Sequence, residues 1–337
     1  MTVWVGGIDF RWFKYDHVTA KRQVGSTFKP LLYTLAVTDA AYTPETKVSG
    51  SALTLSGKTI GGGGGSLAHC LAHSLNGAAW RLISIVGVKR MIEFAKLCGI
   101  EQELPNYPSI ALGAAEIPML EMLRSYTMFP NRGFNTPTTC FTRIEDKNGN
   151  LIFEFPLAQS TQLIGEAEAY SMVKMMQGVV RFGTAQRLNA YAIPVEKAGK
   201  TGTTNNNTDG WFIGYTPELI AGTWVGCEDP FIPIYANNSG GAEMSAPKWG
   251  LFMQKVYADK TLPYGKIKQF TLPASLLNDP IYAEANFSLI IQSGDGPQSE
   301  LQSAGTNNDF FSDDGFGTDS LAPSPGSTTD PEDSTPF

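Results

Sequence analysis

Three short motifs hold most of the chemistry open to this chain: Ser26-Thr27-Phe28-Lys29, Ser74-Leu75-Asn76 and Lys200-Thr201-Gly202. A serine hydroxyl is a weak nucleophile until a neighbouring base takes its proton. A lysine drawn towards neutrality by burial can be that base. A second hydroxyl can relay protons, and a cation on a strand edge can hold a substrate anion. Together the three motifs contain the parts of a serine acyl-transfer site.

Singly, each motif also has a plainer use. Gly25-Ser26 precedes the apolar run Leu31-Leu32-Tyr33 and Leu35-Ala36-Val37, with Pro30 tolerable only in a helix's first turn, so Ser26 alone reads as a helix cap. The same helix sets Ser26 and Lys29 at i and i+3 on one face, where hydroxyl and amine can meet, with Lys200 as a second cation lowering the Lys29 pKa. The helix start also offers free N–H groups to a developing oxyanion. Ser74 and Asn76 can simply close the short helix of Leu67–Asn76, with Asn76-Gly77 as the breaker. They can equally face one cleft, Ser74 passing a proton between Lys29 and a leaving group and Asn76 holding a substrate amide. Lys197–Thr204 alone reads as a glycine-rich hairpin strand with a solvated lysine. In the joint reading its glycines at 199 and 202 allow a substrate to lie along the edge. Lys200 and the hydroxyls of Thr201 and Thr203 then bind a carboxylate, and the Ser26 and Thr203 N–H groups make an oxyanion hole.

The flanking residues narrow the choice. Arg22-Gln23-Val24-Gly25-Ser26-Thr27-Phe28-Lys29-Pro30, then Ser109-Ile110-Ala111-Leu112-Gly113 with Met119-Leu120-Glu121-Met122, then Gly199–Thr204 through Asp209-Gly210-Trp211-Phe212-Ile213-Gly214-Tyr215-Thr216-Pro217, resemble the transpeptidase domain of class A penicillin-binding proteins. Trp4-Val5-Gly6-Gly7 resembles the strand before the nucleophile, and the likeness runs from residue 3 to about 256. It implies an α+β fold of the β-lactamase/transpeptidase kind, an antiparallel sheet against a mostly helical subdomain. It also implies Ser26 as acylated nucleophile, Lys29 as base, Ser74 as relay and Lys200 as a further catalytic group. Asn76, Thr201, Gly202 and Thr203 become the substrate-binding set. The implied reaction attacks the D-Ala–D-Ala bond of a peptidoglycan stem peptide and passes the acyl group to a neighbouring amine. β-Lactams, as mimics of that substrate, become acylating inhibitors.

The chain departs from the family at Asn206, where aspartate is usual, at Gly210, where alanine is usual, and at Gly61–Gly65, which replaces part of a longer loop and suggests a floppy cleft wall. The family's membrane anchor, glycosyltransferase domain and first transpeptidase strand are expected to precede residue 1. Glycan polymerisation is therefore not expected here, and an open sheet edge is. Membrane association is expected only through that anchor, at the extracytoplasmic face of the bacterial inner membrane where the family works. Three rival readings stand beside the main one. A serine β-lactamase needs a Glu-x-x-Leu-Asn base, and Pro105 puts Glu101-Gln102-Glu103-Leu104-Pro105-Asn106 out of register. A D-Ala carboxypeptidase differs only in the acceptor. A truncated, inactive chain would only bind β-lactams.

Composition sets outer bounds. The 337 residues are 42% hydrophobic, enough for a full core, with net charge −7. Eleven of the 32 acidic side chains follow Lys268 and none of the 25 basic ones does, which leaves residues 1–268 at +4. From Ser293 the composition predicts a disordered, solvated acidic tail. Nothing indicates nucleic-acid binding, a cofactor, a signal peptide or a span of about 20 apolar residues. Cys70, Cys98, Cys140 and Cys227 lack ligand spacing and read as small buried side chains, and His69 and His73 as a helix-surface pair without a third metal ligand.

The organisation expected is a transpeptidase domain over 1–258, a C-terminal extension over 259–292 and the tail over 293–337. Its elements are a strand at 1–7, helices at 26–38, within 66–99, at 116–129, 166–182 and 246–256, a hairpin from 140–144 and 151–155, and an antiparallel meander over 195–226. Helices within 26–129 are expected to pack on the sheet, with the site in the crevice between.

Overall fold

The computed structural model describes residues 1–294 apart from 10, 13, 157, 205–206 and 235–239. The expected tail, save its first two residues, and Asn206 lie outside the described residues. A 3₁₀ turn, Gly25–Phe28, runs directly into α1, Lys29–Thr38, with Pro30 in the first turn, where its missing N–H costs nothing. The two or three short helices expected within 66–99 are three: α2, Leu67–Ala72; α3, Asn76–Val86; and α4, Val88–Leu97. Gly99, at φ +91°, stops the last of them. Asn76-Gly77 is therefore not a breaker but the start of α3. The break falls at Ser74, whose φ is +58°. Gly77 serves close packing, since a Cβ there would lie 2.6 Å from the Gly62 carbonyl oxygen. In the glycine run expected to be floppy, Gly61–Gly63 are exposed and Gly64 and Gly65 buried, with Gly63 beside the Leu75 side chain and Gly62 donating its N–H to Gly50 O.

The helix expected over 116–129 is shorter. Glu116–Ile117 pairs antiparallel with Arg22–Gln23, and Pro118 opens α5, Met119–Tyr126. The hairpin forms from Arg143–Glu145 and Leu151–Glu154, exposed throughout. The chain then enters α6, Glu166–Arg181, buried from Ser171 to Val180. The main sheet is the expected antiparallel meander, Ala198–Thr203, Asp209–Tyr215 and Ile220–Gly226 in that order. Residues 1–7 form no strand, because no ladder partner lies beside them; Val5 and Ile8 stay exposed.

Period-two alternation splits the sheet's faces. Gly210, Phe212 and Gly214 face α7, Gly241–Ala258, whose Trp249 ring would meet a Cβ on Gly214 at 2.8 Å. Tight packing on Gly210 and Gly214 lets this helix begin five residues before the expected Ala246, with Pro247 inside it despite the lost helical bond. Lys200, Gly202, Trp211, Ile213 and Tyr215 take the other face, against the 3₁₀ turn and α6. The helical layer next to the sheet thus differs from the one expected over 26–129. Helix α6 lies between the sheet and α1–α2, and of the earlier segment the nucleophile turn and α5 pack on the strands while Ser74 reaches Lys200 by a hydrogen bond. Residues 259–292 fold back onto this body, where α8, Glu284–Gln292, buries Phe287 and Ile291 against α2 and α6.

Candidate active site

The nucleophile turn is braced from four sides. Gly25 takes φ +53°, and its N–H donates to Gly113 O at 3.1 Å, while the Val24 N–H donates to Ala115 O at 3.1 Å. The buried Tyr126 hydroxyl donates to Thr27 O, and Trp211 Nε1 donates to Gln23 O at 2.9 Å. A Cβ on Gly25 would lie 2.6 Å from Thr203 O and 3.3 Å from Thr203 N, so the turn abuts the end of the strand carrying the third motif. Ser26 is half-buried, and no hydrogen bond engages its Oγ among the described residues.

Lys29 is fully buried, and burial draws its amine down to about 7, with the nearby Cys70 thiol pulling the other way. Its Nζ donates to Ser74 O at 2.5 Å, Asn76 Oδ1 at 2.7 Å and Ser74 Oγ at 3.3 Å. The i, i+3 relation expected to join Lys29 to Ser26 is present in the backbone, but the amine turns to the second motif. A buried amine with several donors takes the strongest acceptors within reach, here a carbonyl and an amide oxygen. Lys200, also fully buried, donates from Nζ to Ser74 Oγ at 2.9 Å and Thr201 O at 3.1 Å. Burial holds it well below the usual lysine range, and the Lys29 charge adds to the effect. At Lys29 itself burial, and not a second cation, is the leading cause. Two buried amines thus share one serine hydroxyl.

Thr201 Oγ1 meets Thr184 Oγ1 at 2.6 Å, and Thr203 Oγ1 accepts the Gly241 N–H at 3.0 Å. Gly202 has no room for a side chain, since its Cβ would lie 2.7 Å from Val24 O. Contacts thus join Lys29, Ser74, Asn76 and Lys200 in one cluster and set the nucleophile turn against Gly202 and Thr203. Sequence reading missed three supports: Gly113, Tyr126 and Thr184, whose N–H also donates to Ala72 O at 3.1 Å. Gly113 closes the Ser109–Gly113 segment that carries the family resemblance and Gly183-Thr184 is a Gly-Thr pair just past a helix, but nothing local marks Tyr126.

Other expected groups lie elsewhere. Glu103 is exposed, and Glu101 faces Arg124 at 3.5 Å; neither carboxylate bonds Ser26, Lys29, Ser74 or Lys200 among the described residues. His69 is not on a helix surface but buried, its Nδ1 2.7 Å from Ile291 O, because α8 covers it. The half-buried His73 ring packs against it, tilted, at 4.5 Å between centroids, and burial pushes the His73 ring down to about 4. Cys70 and Cys98 are buried as expected, but Cys140 is exposed on the hairpin approach and Cys227 half-buried beyond the last strand. Among the described residues no three His, Cys, Asp or Glu side chains cluster to hold a metal.

A family model described as "Penicillin binding protein transpeptidase domain" matches residues 10–225. Penicillin-binding protein 1A of Neisseria gonorrhoeae is 32% identical over 269 residues, covering 74% of this chain and 33% of that protein. The Aquifex aeolicus protein of the same name is 30% identical over 266 residues, covering 75% and 36%. The chain therefore spans about a third of the length of these relatives. Among solved structures, penicillin-binding protein 1A from Haemophilus influenzae shares the fold at a TM-score of 0.72 and 24% identity, covering 80% of this chain and 47% of that one. PonA1 from Mycobacterium tuberculosis in complex with penicillin V does so at 0.65 and 23%, covering 80% and 75%.

Proposed function

The chain belongs to the penicillin-binding protein transpeptidase family, and from that premise we propose that it cross-links peptidoglycan stem peptides through an acyl-enzyme on Ser26. The observation that supports this best is the convergence of buried Lys29 and Lys200 on Ser74 Oγ beside the nucleophile turn. With an amine near 7, a large share of Lys29 is neutral at neutral pH and can accept the Ser26 proton. Ser26 Oγ attacks the carbonyl of the penultimate D-Ala. The N–H groups of Ser26 and Thr203 stabilise the oxyanion, a contribution of several kcal/mol at such sites. Ser74 passes a proton to the departing D-Ala nitrogen. The amine of a neighbouring stem then attacks the ester, loses its proton by the same relay and regenerates the serine.

The hydrogen-bond pattern orients Asn76 for its part. Its Oδ1 is held by Lys29, which leaves the amide N–H groups for a substrate carbonyl. Thr201, Thr203 and Lys200 hold the substrate carboxylate. β-Lactams acylate the same serine. The proposed place of work, from the family resemblance, is the extracytoplasmic face of a bacterial inner membrane; among the described residues no helix is long and apolar enough to cross one.

Incubation with a fluorescent penicillin followed by peptide mass spectrometry tests the reading. One stable adduct on the Ser26 peptide is the expected result. Rapid release of hydrolysed drug would indicate a β-lactamase instead, and an unlabelled, folded chain would overturn the proposal.

A further inference from the structure

We propose that α8 holds the Ser74 helix in place through His69, which makes His69 a positioning residue for the reaction although it touches none of the reacting groups. The inference rests on the proposed role of Ser26. Helix α2 has only six residues, too few to be stable unaided, so the placement of its last turn depends on what fastens its first. That last turn carries the site: the Ser74 N–H donates to Leu71 O at 3.1 Å, the Leu75 N–H to Cys70 O at 2.9 Å, and Ser74 O receives Lys29.

The first turn is fastened to the end of α8. Ser66 Oγ accepts the His69 N–H at 3.1 Å as the cap of α2 and donates to Ile290 O at 2.5 Å. The Ser66 N–H reaches Ser293 O at 3.3 Å, and Gly65 bridges antiparallel to Gly294. His69 Nδ1 lies 2.7 Å from Ile291 O; a carbonyl only accepts, so this nitrogen carries the proton. Both carbonyls belong to the last turn of α8: Ile290 O also accepts the Ser293 N–H at 3.2 Å and its hydroxyl at 2.7 Å, while Ile291 O takes the His69 ring. The first N–H groups of α2 go to Thr46 O, Pro44 O and Ser66 Oγ, so what ties it to α8 is the Ser66 hydroxyl and the His69 ring.

The ring has no slack. A Cβ on Gly294 would lie 2.4 Å from His69 Nε2 and one on Gly65 3.1 Å from Cδ2, while the His73 ring closes another side. His69 O in turn accepts the His73 N–H at 3.0 Å, one residue before Ser74. Helix α8 is itself anchored, with Phe287 and Ile291 buried, Ile291 against Gly178, and Glu284 paired to Lys174 and Arg181. From α6 the chain continues to Thr184, which bonds Ala72 O and the Thr201 hydroxyl. A displaced α8 would leave α2 held at its first turn by the Thr46 and Pro44 carbonyls alone and without its ring anchor, and let Ser74 drift from both lysines.

The test uses the full chain with His69→Leu, which keeps volume but drops the donor, and Gly294→Val, which wedges the ring without altering α2. Gly294→Ala is the milder wedge where valine prevents folding. Binding and acylation constants for a fluorescent penicillin are measured with hydrogen exchange at the Ser74 and Leu75 amides. The acylation step is expected to slow about tenfold with binding little changed, as loss of one buried hydrogen bond in a positioned site allows. Exchange at both amides should quicken, and His69→Gln, which restores a donor, should recover most of the rate. Parent acylation rates in folded variants, or unchanged exchange at Ser74 and Leu75, would overturn the positioning role alone. A parent chain that takes no label would overturn the reading of Ser26 and this inference with it.

Discussion

Replacing Gly113 with alanine should slow acylation of Ser26 about a hundredfold, although residue 113 touches no substrate. Gly113 sits at φ +79°, and its carbonyl accepts the Gly25 N–H. The left-handed conformation alone costs an L residue about 1–2 kcal/mol. Space is the larger obstacle. A Cβ on Gly113 would lie 1.8 Å from Gly25 O, where real contacts do not fall below 3.0 Å, so the nucleophile turn must retreat by about 1.2 Å. A misplacement of about 1 Å in a positioned site costs about 10² in rate. Gly57→Ala is the control, because Gly57 has the same φ of +79° with nothing within 4 Å of its Cβ. Stopped-flow acylation by a fluorescent penicillin, with thermal melting of all three chains, separates strain from displacement. Both variants should lose stability, and only Gly113→Ala should lose the rate. A Gly113→Ala chain acylated at the parent rate would refute the argument that this clamp sets the Ser26 position.

Two further substitutions follow from the buried groups. Lys29→Met should abolish acylation while raising the melting temperature at pH 6. Holding that amine at about 7 against 10.5 unfolded costs about 5 kcal/mol wherever the folded chain must keep it charged. Between pH 7 and 10.5 the folded chain has released the proton and the unfolded chain has not. Parent stability therefore rises with pH across that window and the variant's advantage shrinks, as melting at pH 6 and pH 9.5 would show. Tyr126→Phe removes the donor to Thr27 O and leaves a buried carbonyl unsatisfied. It should cost about 1–3 kcal/mol in urea unfolding and lower the acylation rate; an unchanged midpoint and rate would contradict the bracing role.

The reacting side chains were legible because their types matter and their spacing is local: Ser26 with Lys29, Ser74 with Asn76, Lys200 with Thr201. The meander was legible for the same reason, its glycine-punctuated alternation being a local pattern. What holds these groups in place was not. Gly113 meets Gly25 across 88 residues and His69 meets Ile291 across 222, contacts that no local period encodes. His69 was misplaced on the surface for that reason, since nothing near it announces a helix from the far end of the chain. Asn76-Gly77 carries a turn signal, and close packing on Gly62 overrides it. The strand expected at 1–7 has suitable residues but no ladder partner. Burial of the two lysines, which sets their chemistry, emerges only when three separate segments close around them.

The pH dependence of Ser26 acylation tests the central claim most directly. With Lys29 as the base, the rate constant should climb tenfold per pH unit on the acid side, bend near pH 7 and level above it. A rate independent of pH between 5 and 9, or one still rising towards 10, would contradict a buried neutral amine as the group that takes the serine proton.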